Sequence, residues 1–351
     1  MKSSDSTVLP SLGFVLVKSY PRGWQEFWEP VYSFSRKFGV DINAALEAFR
    51  LVYECVSKEE EGRPLSTGFL IGDSGKLKER LPNLAGIELR KQGLLDAAVT
   101  LRTIFGVVDG YTSAFLVAKD GTLEEVRLMP SSASVPPDNS LTSAEFDGYS
   151  HALRGVSAFA LIALGSLKIA KLFCDGNLRS EVYFSGKTGE WIHRPLDEIR
   201  KNLDQLGMEK GIPQPLLYRI FTTALAMSNH RKGGTIVLGD HEEVLRQSEA
   251  PRLRLHGVNV LALKGDHERH LFNLATQEFA LVVSRDGELT ASSVRLLAKV
   301  PSNVKPEVGP GDGGRHRSAA EISASTHGVA FVVSDDGPIT IYSEGRKTLR
   351  V

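Results

Sequence analysis

The sequence predicts an α/β protein built from two tandem related units, each a mixed β-sheet flanked by helices. Short apolar runs that end at glycine or aspartate alternate with longer segments in which apolar residues recur at helical spacing, and this alternation is typical of α/β folds. Several segments of the first half recur in the same order in the second half. The chain has 351 residues, which is long enough for two domains of ordinary size.

The charge balance gives no indication of a polyanionic partner. Lys and Arg together number 42, as do Asp and Glu, so the formal net charge is zero and any anion site must be local. Neither nucleic acid nor a membrane is therefore indicated as a partner. The longest apolar run, at 156–164, is too short to cross a bilayer, and no signal peptide is evident. Because Cys55 and Cys174 have no metal-ligand spacing and fit a reducing compartment, a cytoplasmic protein is predicted.

The first 194 residues are predicted to form an N-terminal extension at 1–40 and a first unit at 41–194. Trp24 and Trp28 in the extension are predicted to be packing anchors, since isolated aromatic residues more often fill a core than contact a ligand. Helices are assigned where apolar residues recur every three or four positions, and strands where a short apolar run meets a turn. The predicted elements are a helix at 43–57, a strand at 67–71, a helix at 93–105, strands at 114–118 and 123–129, a turn-rich linker at 130–143, a helix at 149–164, and strands at 167–174 and 178–184.

The second half is predicted to begin with a connecting helix and linker at 195–215, followed by a second unit at 216–351. The same periodicity rules apply, and Asp-Gly pairs again indicate hairpin turns. The predicted elements are an exposed helix at 195–206, a helix at 216–228, strands at 235–238, 279–283 and 289–297, a helix that begins after a Pro/Gly-rich loop at 301–311, and strands at 329–333 and 339–342.

The two halves share local sequence as well as the order of their elements. TGFLIGD at 67–73 matches TIVLGD at 235–240, and AFLVAKDG at 114–121 matches ALVVSRDG at 280–287. In the same comparison, His151 falls where His316 falls. Two unrelated α/β domains could share such strand–turn–strand patterns, but the ordered agreement of several segments favours an internal duplication of a unit of about 150 residues.

A glycine-rich loop that leads into the last helix is the strongest candidate for an anion site. Glycine allows close approach to the backbone, a helix N-terminus offers unpaired N–H groups, and guanidinium groups can form paired hydrogen bonds with phosphate oxygens. An isolated Arg-His-Arg is more often a solvated helix start, so the pattern needs further support. The residues are Gly313, Gly314, Arg315, His316, Arg317 and Ser318.

This second unit resembles the diadenylate cyclase domain, the catalytic domain of the family that includes the DNA-integrity scanning protein. The resemblance covers roughly residues 216–351. It rests on the Arg-His-Arg helix start with its following small hydroxyl residue, the Val-Val-Ser-Asp-Asp-Gly segment at 332–337, and the strand that ends at Gly239-Asp240. It implies a mixed sheet between helices and a reaction that joins two ATP molecules into cyclic di-AMP, with two domains meeting face to face.

The resemblance also implies roles for individual residues. Arg315, His316, Arg317 and Ser318 would contact the triphosphate, within a nucleotide site that also includes the two loop glycines. Ser334 and Ala280 would lie near the nucleotide. The sequence departs from the family motif Gly-Thr-Arg-His-Arg at Gly314, which stands at the threonine position and removes one hydroxyl group.

The second catalytic motif of the family, Asp-Gly-Ala on a strand, reads Glu278-Phe279-Ala280 in this chain. The family aspartate helps to hold the divalent metal, Mg²⁺ or Mn²⁺, and the glycine allows the substrate to approach the backbone. Glu278 is the tentative metal ligand and catalytic residue, but its longer side chain displaces the carboxylate oxygens. Phe279 places a large ring where close approach is needed. Both changes affect metal and substrate positioning, so they bear on catalysis more than on binding.

The first unit departs further from the family pattern. It has Ser150-His151-Ala152 in place of Arg-His-Arg, and Thr112-Ser113-Ala114 in place of Asp-Gly-Ala. It is therefore predicted to be a structural partner that has kept the fold without the phosphate-binding residues. An enzyme that needs two domains face to face could in this way become one chain that contains a pseudo-dimer.

The leading functional hypothesis is a nucleotide-binding sensor without turnover, whose ligand is an adenine nucleotide or a cyclic dinucleotide. A protein effector is a further expected partner. Two alternatives stay open: an active diadenylate cyclase that uses Glu278 as its metal ligand, and a ligand-free protein-interaction scaffold.

Overall fold

The structure is a computed structural model that describes residues 17–60, 63–82, 89, 92–97, 108–130, 141, 144–263, 268–302, 304–310 and 312–351. The chain divides into two compact units. One consists of Met1–Val135 with Glu145–Leu196, and the other of Pro136–Ala144 with Asp197–Val351. Each unit has its own mixed β-sheet, which confirms the predicted α/β fold class.

The first unit contains an eight-stranded sheet and a separate two-stranded ladder. Its strands are β1 Glu59–Glu60, β2 Arg63–Pro64, β3 Ser66–Gly72, β4 Gln92–Gly93, β5 Ser113–Ala118, β6 Thr122–Leu128, β7 Ala158–Leu164, β8 Ile169–Cys174, β9 Asn177–Ser185 and β10 Glu190–Pro195. The strand order in the large sheet is β10-β9-β8-β7-β3-β5-β6-β4, and β1 pairs with β2. The helices are α1 Arg22–Phe38, α2 Ile42–Ser57, α3 Ser74–Arg80 and α4 Asp147–Leu153, with 3₁₀ turns at Ala144–Phe146 and Gly165–Leu167.

The two N-terminal helices begin and end where the sequence provides caps. The Asp41 carboxylate accepts hydrogen bonds from the backbone N–H groups of Asn43 and Ala44 at the start of α2. Gly39 ends α1 in the left-handed conformation, with φ of 67°. The buried ring of Trp24 on α1 then packs edge-on against Phe49 on α2, with centroids 5.3 Å apart. Helix α1, within the residues predicted as an extension, thus belongs to the core of the first unit.

The second unit contains a seven-stranded mixed sheet in the order β12-β14-β13-β11-β15-β16-β17. These strands are β11 Gly234–Gly239, β12 Leu253–Arg254, β13 Ala280–Ser284, β14 Leu289–Val294, β15 Val329–Val333, β16 Ile339–Ser343 and β17 Arg346–Arg350. The helices are α5 Leu196–Lys210, which continues from the last residue of the first unit, α6 Gln214–Asn229, α7 His241–Arg246, α8 Glu268–Ala275 and α9 Gly314–Ser325, with a 3₁₀ turn at Val260–Ala262. Ala319, Ala320 and Ile322 on α9 are fully buried in the core.

Seven strands of the first sheet correspond to the seven strands of the second in order and direction. Read from β4 to β9, the first sheet has the order β4-β6-β5-β3-β7-β8-β9, and the second reads β12-β14-β13-β11-β15-β16-β17. In both sheets the central strand is parallel to one neighbour and antiparallel to the other: β3 with β5 and β7, and β11 with β13 and β15. Strand β10 is the additional strand of the first sheet.

Several predicted elements differ from the structure. The helix predicted at 149–164 is wrong beyond Leu153, because residues 158–164 form strand β7. All seven residues of β7 are buried, and a short apolar run that is buried on both faces has no periodicity that separates strand from helix. Helix α5 extends the helix predicted at 195–206, but Ile199, Leu203 and Leu206 are buried, so it is not exposed all round. Strands β10 and β17 were not predicted.

Two predicted segments fall largely outside the described residues. Of the helix predicted at 93–105, residues 94–97 are helical and 98–107 lie outside the described part of the chain. The linker predicted at 130–143 is described only at residues 130 and 141. Among the described residues, no helix combines the length and the apolar character needed to span a membrane.

Candidate functional site

At one end of the strands in the second sheet, which we call the shared edge, the segments that the sequence singled out come together. Gly234 at the start of β11 pairs with Val333 at the end of β15, and Thr235 pairs with Ala280 at the start of β13. Ser334 therefore follows β15 at the same edge at which Glu278 and Phe279 precede β13. Because β11 and β13 are parallel while β15 is antiparallel, three distant parts of the sequence meet here.

The Gly-Gly loop starts helix α9 with an open backbone. Gly313 is the N-cap residue, and its carbonyl accepts the N–H groups of His316 and Arg317 at 3.1 and 3.3 Å. A Cβ atom built on Gly313 or Gly314 would meet no described atom within 4 Å. Neither glycine has a positive φ, so the fold of the described residues does not itself require glycine at these two positions. The Ser318 hydroxyl donates to the Gly314 carbonyl at 2.9 Å, within the helix.

Arg315 contacts the turn that follows β15. Its Nη1 lies 3.1 Å from Oδ2 of Asp335, and the side chains are 48% and 73% exposed. The other oxygen of Asp335 accepts the backbone N–H of Gly233 at 2.8 Å. A Cβ atom at Gly233 would overlap the ends of the Arg315 and Asp335 side chains, so these side chains can take their observed positions only while residue 233 is glycine. The contact connects the start of α9, the end of β15 and the start of β11.

The two arginines and the histidine between them have different surroundings. His316 is 8% exposed, whereas Arg315 and Arg317 are exposed on the surface. Arg317 forms no ion pair with any residue that the structure describes. The helix start therefore presents two guanidinium groups to solvent on either side of a buried imidazole.

His316 is hydrogen-bonded on both ring nitrogens. Nδ1 lies 3.1 Å from the Tyr342 hydroxyl on β16, and Nε2 lies 3.1 Å from the Ser334 hydroxyl. Burial lowers the pKa of His316 and raises the pKa of Tyr342. The resemblance implied triphosphate contact for His316, but the structure directs both of its nitrogens to protein hydroxyls. His316 thus fixes α9 to the end of β15.

Asp312, directly before the Gly-Gly loop, also attaches this loop to neighbouring segments, and the sequence did not predict this role. Its carboxylate, which is 6% exposed, accepts the Gly309 N–H at 2.6 Å and pairs with Lys347 at 2.7 Å. Burial acts to raise the pKa of Asp312, but the hydrogen bonds from Lys347 and Gly309 hold it below its ordinary value. An aspartate directly before a Gly-Gly helix start was the available signal, but its partner Lys347 is 35 positions away in the sequence.

Glu278 and Phe279 lie at the same edge with a different partner. The Glu278 carboxylate pairs with Arg252 at 3.0 Å, and both side chains are largely exposed. The Arg252 guanidinium lies over the Phe279 ring, 5.1 Å from its centroid. Phe279 has a φ of 67°, in the left-handed region that favours glycine, and its side chain is 41% exposed. Ala280, which follows, is buried.

The resemblance implies that Glu278 is a ligand for Mg²⁺ or Mn²⁺. Among the described residues, no group of three or more His, Cys, Asp or Glu side chains is arranged to hold a metal ion. Mg²⁺ can bind through one or two protein carboxylates when substrate phosphates supply further oxygens. In that role, the Glu278 carboxylate would bind the metal beside, or in place of, its ion pair with Arg252.

The corresponding strand ends of the first unit carry different residues. Tyr149 on α4 is fully buried, and its hydroxyl donates to the Gly110 carbonyl at 3.1 Å. Phe173 stacks on the Tyr149 ring with centroids 5.6 Å apart. Asp109 accepts the N–H groups of Tyr111 and Thr112 at 2.9 and 2.8 Å, so this carboxylate closes its own turn.

Comparison with known proteins gives one family match and several structural similarities. Residues 222–347 match the family model described as DisA bacterial checkpoint controller nucleotide-binding, abbreviated DAC. This region contains β11, β13, α9 and β15, and thus the whole sheet edge described above. No curated protein matches the chain.

Two solved structures illustrate the similarity. One is a hypothetical membrane spanning protein from Bacillus cereus, with 20% identity and a TM-score of 0.28, covering 36% of this chain and 59% of that chain. The other is a double mutant of DacA from Staphylococcus aureus, with 17% identity and a TM-score of 0.28, covering 38% of this chain and 86% of that chain. This chain thus spans less than two thirds of the Bacillus cereus protein.

Proposed function

We propose that the second unit, whose residues 222–347 match the DAC nucleotide-binding family, binds an adenine nucleotide or a cyclic dinucleotide and acts as a sensor without turnover. The observation that carries the proposal is the exposed pair of guanidinium groups, Arg315 and Arg317, at a helix start whose glycines face open space. A signalling role also implies a protein effector as a further partner.

Phosphate groups would bind at the start of α9. The first N–H groups of a helix have no partner within the helix, and they favour anions. Arg315 and Arg317 add two charged donors that can each form paired hydrogen bonds with phosphate oxygens. Asp335 holds Arg315 in place before binding, and a phosphate oxygen would replace this carboxylate or share the guanidinium with it. His316 would not contact the phosphates but would hold the helix start in place through its hydrogen bond with Ser334.

Two features favour binding without turnover. The carboxylate available to hold a metal, Glu278, pairs with Arg252. Phe279 keeps the backbone conformation that suits glycine but adds a large exposed ring to it. Since phosphoryl transfer depends on metal placement and in-line geometry, both features oppose the reaction more than they oppose binding. A divalent cation, if it accompanies the nucleotide, would screen the phosphate charges.

We further propose that the two units arose by internal duplication. The matching order and direction of seven strands support this origin, together with the repeated TGFLIGD and TIVLGD segments. The first unit then has a structural role, because Ser150 and Ala152 stand where the second unit has Arg315 and Arg317, and the neighbouring Tyr149 is a buried core residue.

Calorimetric titration of the full chain with ATP and with cyclic di-AMP, each with and without Mg²⁺, tests the proposal. We expect saturable binding that weakens at least tenfold in the variant that combines Arg315→Ala with Arg317→Ala. Arg295→Ala is the matched control, because Arg295 is 56% exposed and also forms an exposed ion pair, with Glu249 at 3.2 Å. Absence of binding to either nucleotide, or equal binding by the double variant, would contradict the proposal.

The enzyme alternative has its own decisive assay. The position of Glu278 before β13 at the shared edge is the observation that favours it. We expect no cyclic di-AMP when the pure protein is incubated with ATP and Mg²⁺ or Mn²⁺. Product that forms with the wild type and disappears with Glu278→Gln would establish an active diadenylate cyclase instead.

A further inference from the structure

We infer that Phe279, held by Arg252, is a stacking surface for the nucleobase of the bound ligand. This inference rests on the proposed nucleotide site and deepens it, because it assigns base recognition to residues at the position where the family motif has glycine. It places two functions at one sheet edge: α9 binds the phosphates, and the residue before β13 contacts the base.

The backbone at Phe279 is the first reason. A φ of 67° is sparsely populated by residues other than glycine, and for a bulky side chain it is a marked outlier. Burial in the core does not account for the ring, because Phe279 is 41% exposed. Glycine would adopt this conformation without strain. A strained, exposed aromatic side chain therefore has its explanation in a contact that the protein makes with a ligand.

The position of Phe279 relative to the proposed phosphate site at the start of α9 is the second reason. Phe279 directly precedes Ala280, which pairs with Thr235, and Gly233 lies two residues before Thr235. Gly233 donates to Asp335, which in turn contacts Arg315. The ring thus lies at the end of β13, and the guanidinium lies near the same end of the sheet, beside Gly233 before β11 and Asp335 after β15. Neighbouring strands are separated by only about 4.8 Å. A nucleotide that extends from its phosphates to its base can span this separation.

Arg252 is the third reason, because it orients the ring. Its guanidinium lies over the ring at 5.1 Å and also pairs with Glu278 at 3.0 Å, so the chain segment before β12 is attached to both residues. A guanidinium plane and an aromatic ring are the two protein groups on which nucleobases stack. The Arg252 side chain is 64% exposed, so its own plane is accessible as well. Glu278 thereby serves to hold Arg252.

The test compares a ligand that has a base with one that has none. Calorimetry would measure the binding of ATP, cyclic di-AMP and inorganic tripolyphosphate to the wild type, Phe279→Leu and Phe279→Tyr. Stacking of one base on an aromatic ring corresponds to about 10- to 100-fold in affinity. We expect Phe279→Leu to weaken the binding of the nucleotides by such a factor and to leave tripolyphosphate binding unchanged. Phe279→Tyr, which keeps a ring, should bind like the wild type.

Leu297→Ala is the matched control, because Leu297 is another exposed apolar side chain of this unit, at 52% exposure, beyond the end of β14. Equal nucleotide affinity in the wild type and Phe279→Leu would overturn the inference and leave the proposed function standing. Equal weakening of nucleotides and tripolyphosphate would also overturn it, since a general loss of the site requires no stacking. A wild type that binds none of the three ligands would refute the proposed function and this inference together.

Discussion

Arg315 contacts residues from distant parts of the sequence, and its guanidinium lies directly beside Gly233. A side chain at position 233 would overlap the Arg315 guanidinium and the Asp335 carboxylate, while the Gly233 N–H donates to that carboxylate at 2.8 Å. The glycine therefore leaves room for the observed contact between the arginine and the aspartate.

We expect Gly233→Ala to weaken nucleotide binding by about tenfold, which corresponds to about 1.4 kcal/mol. The added methyl group separates Arg315 from Asp335, so the guanidinium loses its orientation before the ligand arrives. Calorimetric titration with ATP measures the change, and thermal unfolding confirms that the protein still folds. Gly186→Ala is the control, since a Cβ atom at Gly186 meets no described atom within 4 Å. An affinity equal to that of the wild type would show that the contact at Gly233 has no role in binding.

His316 makes a prediction about pH. Burial lowers its pKa in the folded protein, whereas the unfolded chain has the ordinary value of about 6.5. As pH falls through that ordinary value, the unfolded state binds a proton that the folded state does not bind. The free energy of unfolding should therefore decrease as pH falls from 7 towards 5, and above about pH 7.5 the histidine should contribute no pH dependence.

Denaturant unfolding between pH 5 and 8 tests this expectation in the wild type and His316→Gln. Glutamine keeps a polar group that can reach Ser334 or Tyr342 but does not titrate, so its unfolding free energy should depend less on pH in this window. His193 in the first unit also has a pKa lowered by burial, and it is present in both proteins, so its contribution cancels. Identical pH dependence in the two proteins would mean that His316 is as easily protonated in the folded state as in the unfolded state.

Sequence reasoning identified the residues that we propose to bind phosphate, but not the residues that contact and orient them. Arg315 and Arg317 stand together in a local motif, so a short window of sequence was enough to find them. Gly233, Asp335 and Arg252 come close to the motif residues only through strand pairing and loop packing. The conformation of Phe279 could not be predicted either, because nothing in its side chain favours a positive φ.

Most of the predicted helices and strands exist, and the exceptions have physical causes. Strand β7 lies in the middle of its sheet between β3 and β8, where both faces are buried, so the alternation that identifies strands disappears. Strands β10 and β17 are the outermost strands of their sheets. β17 reads Arg-Lys-Thr-Leu-Arg, a charged pattern that suits an exposed edge but gives little apolar signal. The prediction thus failed for the central strand β7 because the whole strand is apolar, and for the outer strand β17 because it has too few apolar residues.

Helix α1 illustrates how a segment predicted to be an N-terminal extension can form part of a core. Trp24 is fully buried and has ring contacts with Phe27, Phe49 and Trp191 at centroid distances of 5.6, 5.3 and 5.4 Å. Trp191 lies on β10, the strand that only the first sheet has. Helix α1 and the additional strand therefore pack against each other.

We expect Trp24→Ala to lower the free energy of unfolding of the first unit by about 3–5 kcal/mol, because the truncated side chain leaves a cavity among aromatic rings. Urea unfolding measures the loss, and binding of ATP to the second unit should persist. Glu29→Ala, on the exposed face of the same helix, is the control and should change stability by no more than about 0.5 kcal/mol. A loss of similar size for both variants would show that α1 does not pack through Trp24.

The two sheets share one topology but differ in what their corresponding edges offer a ligand. In the second unit, two glycines with open space around them precede Arg315 and Arg317 on α9. In the first unit, α4 carries Tyr149, whose buried hydroxyl bonds to the Gly110 carbonyl. The same arrangement of strands can therefore carry different residues at its strand ends in the two units, since the fold and a ligand site depend on different residues.

This difference predicts the stoichiometry of the whole chain. We expect calorimetric titration with ATP to give one binding site per chain, because only the second unit has both the arginine pair and space for phosphates. The variant that combines Arg315→Ala with Arg317→Ala should bind at least tenfold more weakly, whereas Tyr149→Phe, which keeps the ring and removes only its hydroxyl, should retain one site of wild-type affinity. Two sites per chain in the wild type, or a second site that the double variant leaves at full affinity, would show that the first unit binds nucleotide despite Tyr149. Either result would make the chain a two-ligand protein and would remove the basis for assigning a purely structural role to its first unit.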